Sequence, residues 1–152
     1  MKYFTMYEMT RSATAKRLGI DNTPTAVVRN NIEVLVKNVL DPLREAWGAP
    51  IVVTSGYRCE KLNRAVGGAT NSQHLYGQAA DIRTVSDRRE DNMKLLRKLI
   101  DMELPFDKLI AEYVDSSGRP DWIHVSYSSA RRGIKLTCKG GRYTNGIRID
   151  KK

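Results

Sequence analysis

The chain has 152 residues, 41% of them hydrophobic, and a formal net charge of +9. This length fits one domain with one core, and the apolar content excludes an intrinsically disordered chain. The longest apolar runs, such as Ile51-Val52-Val53, are far too short to span a membrane. We therefore expect a single folded domain over residues 1–152 that has no membrane partner.

The first part of this domain, residues 1–48, is predicted to be helical. Residues with side chains suited to an N-cap precede three helices: Thr5, Ser12 and Thr23. Glycines are predicted to end the second helix and the last one: Gly19 and Gly48. Pro42 should kink or break the long third helix, because proline has no N–H to donate and its ring clashes with the preceding turn.

The central part, residues 50–127, is predicted to alternate between strands and helices. Runs rich in β-branched and aromatic residues predict strands at 50–54, 79–83, 106–113 and 122–127. A short helix is expected at 60–66, and Ser86 is expected to cap another with the apolar stripe Met93, Leu96, Leu99 and Ile100. This order predicts an α+β fold with helices packed on a small, mainly antiparallel sheet.

The basic C-terminal segment, residues 131–152, carries eight Lys or Arg residues and one acid, Asp150. Such a segment attracts polyanions, including the anionic polymers of a bacterial cell wall, or it is simply a solvated tail. A nucleic-acid partner is not expected, because no helix-turn-helix or aromatic-basic signature accompanies the charge. Gly140-Gly141 predicts a hairpin turn within the segment. Cys59 and Cys138 lack CxxC spacing and are expected to be free thiols.

Three residues suggest a metal site: His74, Asp81 and His124. Asp81 and His124 lie in predicted strands that can each present one ligand to a common surface, and His74 lies in the preceding loop. Two imidazoles and one carboxylate suit catalytic zinc, which uses three protein ligands and leaves one position to water. A histidine in a loop can also be a surface or hydrogen-bonding residue, and the spacing alone leaves both interpretations open.

Asp121, three residues before His124, is the candidate acceptor for a proton from water. Strict strand alternation would place Asp121 and His124 on opposite faces of the sheet. The assignment therefore requires irregular backbone near Pro120, and proline favours this.

The motif SxHxxGxAxD at residues 72–81, followed by WxH at 122–124, resembles the zinc D-alanyl-D-alanine carboxypeptidase family. That family includes vancomycin-resistance dipeptidases and phage L-alanyl-D-glutamate endolysins, and its fold is shared with the Hedgehog signalling domain. The segments SGYR at 55–58 and FDKLI at 106–110 add to the resemblance, which covers roughly residues 50–127. It implies a Hedgehog/DD-peptidase-like fold.

The resemblance also implies roles for individual residues. His74, Asp81 and His124 would bind one zinc ion, and Asp121 would be the catalytic acid/base. Arg58 would steady the substrate's carbonyl or carboxylate group and stabilise the oxyanion that develops during the reaction. Ser72 would bind substrate or orient the loop.

We therefore expect a monomeric zinc metallopeptidase that hydrolyses peptide bonds in peptidoglycan stem peptides, as a D-Ala-D-Ala carboxypeptidase or an endolysin-type endopeptidase. The alternative is a non-catalytic, zinc-stabilised module that binds the cell wall. The N-terminal sequence MKYFTMYEMT lacks the apolar stretch of a secretory signal. This predicts synthesis in the cytoplasm and action on the bacterial wall, with phage origin and holin-dependent release as the hypothesis.

Overall fold

Six strands form one sheet in the order β1-β2-β4-β3-β5-β6 in the computed structural model, which describes residues 1–149. The strands are β1 (Ile51–Ser55), β2 (Ala79–Thr84), β3 (Lys108–Glu112), β4 (Trp122–Ser126), β5 (Ile134–Lys139) and β6 (Arg142–Asn145). Only β3 and β5 run parallel; the other neighbouring strands pair antiparallel. The prediction of an α+β fold with a mainly antiparallel sheet is confirmed.

The helices cover one face of this sheet. They are α1 (Met6–Thr10), α2 (Ala13–Leu18), α3 (Ala26–Leu35), α4 (Asp41–Trp47), α5 (Glu60–Ala65) and α6 (Arg89–Asp101), with a π-helical turn at Val36–Leu40 and a 3₁₀ helix at Gln73–Tyr76. Alternate strand residues such as Val53, Ile82 and Ile123 are buried in one core with Leu35 and Leu96 of the helices. The opposite face of the sheet is therefore not covered by these helices. No helix within residues 1–149 is long and apolar enough to cross a membrane.

The predicted helix starts were right at two of the three N-terminal positions. Thr5 forms a capping box, and Ser12 accepts a hydrogen bond at the start of α2. The third prediction, Thr23, was wrong: the Thr25 side chain accepts from the N–H of Val28 and caps α3. The N–H and hydroxyl of Thr23 instead donate to Asp21, so this residue belongs to the turn before the helix.

Pro42 does not break the helical region, which was one of the two expected outcomes; the helix continues past it after a local change of hydrogen bonding. The N–H of Asp41 donates to the carbonyl of Val36, one residue further back than in an α-helix, within the π-helical turn. This extra residue shifts the register, and Pro42 then falls in the first turn of α4, where its missing N–H costs little. The helix ends at Gly48 in the left-handed conformation, as predicted.

The helix α6 begins later than predicted. Ser86 does not cap it; the Ser86 hydroxyl accepts from the N–H of Arg88, the residue that precedes the helix, and donates to Asp91. The buried stripe is Asn92, Leu95, Leu96 and Leu99, so it is rotated from the predicted one, in which Met93 and Ile100 are only partly buried. The reason is Asn92, whose amide is buried because it accepts from Thr84 and donates to the carbonyl of Asp121.

The basic C-terminal segment is largely a hairpin at the edge of the sheet. Strands β5 and β6 are joined by Gly140-Gly141, both with positive φ, so the predicted turn is confirmed. Cys59 and Cys138 are free thiols, as expected. The last residues of the predicted basic segment, Asp150, Lys151 and Lys152, lie outside the described part of the chain.

Candidate metal centre and cleft

The three predicted metal ligands meet on the sheet face that the helices leave open. Asp81 of β2 and His124 of β4 are direct cross-strand partners, and the 3₁₀ helix brings His74 beside them. One Asp81 carboxylate oxygen, Oδ1, lies 3.4 Å from His74 Nε2 and 3.2 Å from His124 Nδ1. One ligand atom from each residue lies within 4.8 Å of the other two. The sequence prediction that these residues converge is therefore supported by the geometry.

Two of the three distances between these atoms fit a tetrahedral zinc ion. Zinc–nitrogen and zinc–oxygen bonds in proteins place two ligand atoms of a tetrahedron about 3.3 Å apart. The distances of 3.4 Å and 3.2 Å from Asp81 Oδ1 match that value. Two imidazoles and one carboxylate also form the donor set of a catalytic site, which keeps its fourth position for water.

His74 is held in the tautomer that a metal ligand needs. Its Nδ1 lies 2.7 Å from the carbonyl oxygen of Gly56, so Nδ1 carries the proton and donates it. The other ring nitrogen, Nε2, then keeps its lone pair for a metal ion. Gly56 itself must be glycine, because a Cβ there would lie 2.2 Å from the carbonyl oxygen of Met9 in α1.

The loop that carries His74 is fixed at both ends. The hydroxyl of Ser72 accepts from the N–H of His74, so Ser72 orients this loop, one of the two roles that the resemblance implied. Gly77 has φ +70° and packs so tightly against Val28 and Ile32 of α3 that a Cβ would lie 2.9 Å from either side chain. These contacts leave the imidazole of His74 only 2% exposed.

Asp107 links the same loop to the C-terminal segment. Its carboxylate accepts from Gln73 and from the backbone N–H and guanidinium of Arg132. Hydrogen bonds from Arg132 are the main reason that the pKa of Asp107 lies well below its usual range. This ion pair between buried Asp107 and exposed Arg132 was not predicted from the sequence, because nothing in the spacing of Gln73, Asp107 and Arg132 indicates that they meet.

The carboxyl group of Asp81 is ionised. Burial raises its pKa, but the two imidazoles of His74 and His124 lower it by more, and the net shift is downward. An ionised carboxylate beside two imidazoles is the form that binds a metal ion.

A cleft of about 740 Å³ opens over the metal centre. Its floor is the open face of β2, β4, β3 and β5, and its walls include the loop that precedes His74. The residues that line it from both sides of the metal centre include Arg58, Ser72, Lys108, Glu112, Tyr113, Trp122, Arg132 and Tyr143. A peptide can therefore reach the three ligands from solvent.

Arg58 lies in this cleft, where the sequence placed a substrate-binding residue. Its backbone N–H donates to the carbonyl of His74, which fixes the residue beside the metal ligands. Burial lowers the pKa of its guanidinium, and Asp81 partly offsets this. The buried Nε atom has no hydrogen-bond partner among residues 1–149. A buried donor without a partner is costly, so this group is available to a ligand oxygen.

Asp121 lies beside the cleft rather than among the residues that line it. Its N–H donates to the carbonyl of Glu112, which pairs in register with Trp122. Asp121 lies in a bend before β4 and outside the strand, so strict alternation does not fix the side of the sheet for its side chain. The side chain is exposed. The irregular backbone that the sequence assignment required is present.

Glu112 is a cleft residue that the sequence analysis did not identify. Its side chain is buried and lines the cleft, and its Oε1 accepts from the hydroxyl of Tyr143 at 3.3 Å. Burial raises the pKa of Glu112, and the charge of Asp81 adds to this while His124 opposes it. The available signal was an acid at an alternate position of the strand KLIAE, on the face that it shares with Lys108 and Ile110.

A family model described as Peptidase M15 matches residues 2–126. The zinc D-Ala-D-Ala carboxypeptidase of Streptomyces albus G is 50% identical to this chain over 44 residues, which is 28% of this chain and 17% of that protein. This match therefore spans less than a fifth of the relative's length.

Proposed function

Because this chain belongs to the peptidase M15 family, we propose that it is a zinc metallopeptidase that cleaves peptidoglycan stem peptides. The observation that carries the proposal is the convergence of His74, Asp81 and His124 at the floor of an open cleft, where both distances from Asp81 Oδ1 suit a tetrahedral zinc ion. We further propose that the α+β fold is that of the Hedgehog/DD-peptidase group.

The chemistry divides among residues that line the cleft and Asp121, which lies beside it. A zinc ion held by the two histidines and Asp81 supplies Lewis-acid activation of a carbonyl group and of a water molecule. Asp121 accepts a proton from the attacking water as the new C–O bond forms, and returns it to the nitrogen as the C–N bond breaks. Arg58 donates to the oxygen of the scissile carbonyl, where negative charge develops. Ser72 keeps His74 in place and contacts the substrate.

The choice of substrate rests on the motif resemblance and on the partial match to a D-Ala-D-Ala carboxypeptidase. We propose that the protein acts on the bacterial cell wall as a monomer and that it is encoded by a phage and released through a holin. Exposed cations of the C-terminal hairpin would hold it near anionic wall polymers. These cations are Lys135, Lys139 and Arg142.

The test is mass spectrometry of fragments that the protein releases from purified peptidoglycan, with zinc and with a chelator. Release that requires zinc is expected. Free D-alanine would identify a carboxypeptidase, and separated stem peptides would identify an endopeptidase. Absence of any fragment from walls of several chemotypes would contradict the proposal.

Asp121→Ala distinguishes a peptidase from a binding module. We expect this variant to retain zinc and to have a kcat that is about 10²- to 10⁴-fold lower than that of wild type, because a positioned acid/base usually contributes such a factor. The control is Asp101→Ala, which removes an exposed acid of α6 outside the cleft. A module that only binds the wall would show equal wall affinity, and no fragment release, in both variants.

A further inference from the structure

Strand register places groups of opposite charge on the two sides of the metal centre in the cleft. Asp81, His124 and Ile110 are paired across β2, β4 and β3, so they form one row across the sheet that contains the metal centre. Lys108 and Glu112 lie two residues to either side of Ile110 on the same strand and line the same cleft. Each is about 7 Å along the strand from the metal row. A cation and an anion thus flank the metal centre on opposite sides.

The carboxylate of Glu112 is buried without a cationic partner. The residue is 6% exposed, and no ion pair to it forms within residues 1–149. Its hydrogen bonds come from two neutral groups, the hydroxyl of Tyr143 and the thiol of Cys138, and among its neighbours His124 attracts its charge while Asp81 repels it. A buried carboxylate usually forms an ion pair with a cationic side chain, because desolvation is costly. Glu112 lacks such a partner but faces a cleft, where a ligand can supply one.

The other end of the cleft has the opposite charge. Arg132 lines it but is already paired with Asp107, which accepts two bonds from its guanidinium. Lys108 also lines it and forms no ion pair within the described chain. Lys108 is therefore the cation that is free to meet a ligand carboxylate at that end.

We propose that Glu112, with Tyr143, forms a subsite for a protonated amine of the substrate, and that Lys108 receives a carboxylate on the other side of the metal centre. This proposal rests on the proposed function and specifies its substrate as a peptide with an amine on one side of the scissile bond and a carboxylate on the other. An extended peptide rises about 3.3 Å per residue, so each group lies within two residues of that bond. A stem peptide with a diamino acid carries such an amine.

The test compares a lysine-containing stem pentapeptide with the same peptide acetylated on the lysine amine. Glu112→Gln keeps the shape of the side chain and removes its charge. For the free amine peptide we expect this variant to raise KM about thirtyfold, the effect of removing one partner of a buried charge pair. For the acetylated peptide KM should stay unchanged. Glu103→Gln, at an exposed acid outside the cleft, is the matched control.

Calorimetry of both peptides on Asp121→Ala and on Asp121→Ala combined with Glu112→Gln, each loaded with zinc and assayed for zinc content, measures the subsite while hydrolysis is suppressed. Asp121→Ala should prefer the free amine, and the double variant should not. Equal affinity of Asp121→Ala for both peptides would refute the subsite, even if wild type cleaves them. If peptides bind with the expected preference but wild type does not cleave them, the subsite stands and the peptidase proposal fails. A fall in kcat on both peptides with KM unchanged would instead assign Glu112 to proton transfer.

Lys108→Met tests the other end of the cleft. We expect it to raise KM for a peptide with a free terminal carboxylate about tenfold and to leave KM for the corresponding amide unchanged. Lys98→Met, at an exposed position of α6 outside the cleft, is the control and should change neither. If Lys108→Met affects acid and amide equally, the assignment of the carboxylate to this end is wrong.

Discussion

The two faces of the sheet bury different kinds of side chain. On the helix-covered face, Ile82, Leu109 and Val125 are fully buried among the apolar side chains of the helices. On the cleft face, Asp81, His124 and Glu112 are buried or nearly so although they are polar. The first arrangement stabilises the fold through apolar contact. The second leaves polar groups that only a metal ion or a ligand can satisfy fully.

This difference indicates that the residues that stabilise the fold and the residues of the candidate site lie on opposite faces of the same strands. Because side chains alternate along a strand, β4 can bury Ile123 and Val125 under the helices while it presents His124 to the cleft. A substitution on the helix-covered face should therefore change the free energy of unfolding. A substitution on the cleft face should change metal binding and catalysis. The following predictions test that separation.

The largest effect is expected on the cleft face, from His74→Ala. This change removes the ligand that the Gly56 carbonyl orients, so zinc affinity should fall by more than about a hundredfold and hydrolysis should be lost. The measurement is zinc content by elemental analysis and titration. Tyr76→Phe, on the exposed side of the same loop, should retain zinc. Normal zinc binding by His74→Ala would exclude this site.

On the helix-covered face, Leu96→Ala should lower the free energy of unfolding by about 3 kcal/mol, because it leaves a cavity in a fully buried position. Urea unfolding measures this. The folded fraction should retain the zinc affinity of wild type. Leu18→Ala, at an exposed position, is the control and should have little effect. Loss of zinc from folded Leu96→Ala would show that the two faces are not separable.

Asp107→Asn tests a contact that joins the metal loop to the C-terminal segment. Because the pKa of Asp107 is lowered in the folded protein, its contribution to stability is complete above about pH 4 and is lost as the pH falls towards the lowered value. At pH 7 the variant should be less stable by about 2 kcal/mol. The difference from wild type should shrink below pH 4 in urea unfolding. A difference that is independent of pH would contradict the assigned ion pair.

The smallest effect is expected from the exposed cations of the hairpin. Replacing Lys135 and Lys139 with glutamine should weaken binding to walls that carry anionic polymers by about 0.5 kcal/mol per charge, and added salt should abolish the difference. Sedimentation with walls before and after removal of these polymers measures it. Hydrolysis of small peptides should not change. Weakening that persists at high salt would assign the hairpin a different contact.

The sequence predicted caps, helix ends and turns well, because each of them depends on residues that are close together in the chain. The Thr5 capping box, the Gly19 and Gly48 helix ends and the Gly140-Gly141 turn each depend on a few neighbouring residues. Predictions failed where a distant contact decides the outcome. The start and rotation of α6 depend on Asn92, which binds Thr84 and the carbonyl of Asp121 in two strands.

The sequence by itself determined the set of candidate metal ligands, because the motif at residues 72–81 and the distal WxH contain all three. Only the tertiary structure decided what else lies beside them. Glu112, Lys108 and the pair of Asp107 and Arg132 come to the cleft through the pairing of β3 with β4 and β5. Strand register is set by burial of the whole apolar face and leaves no local signature at these residues.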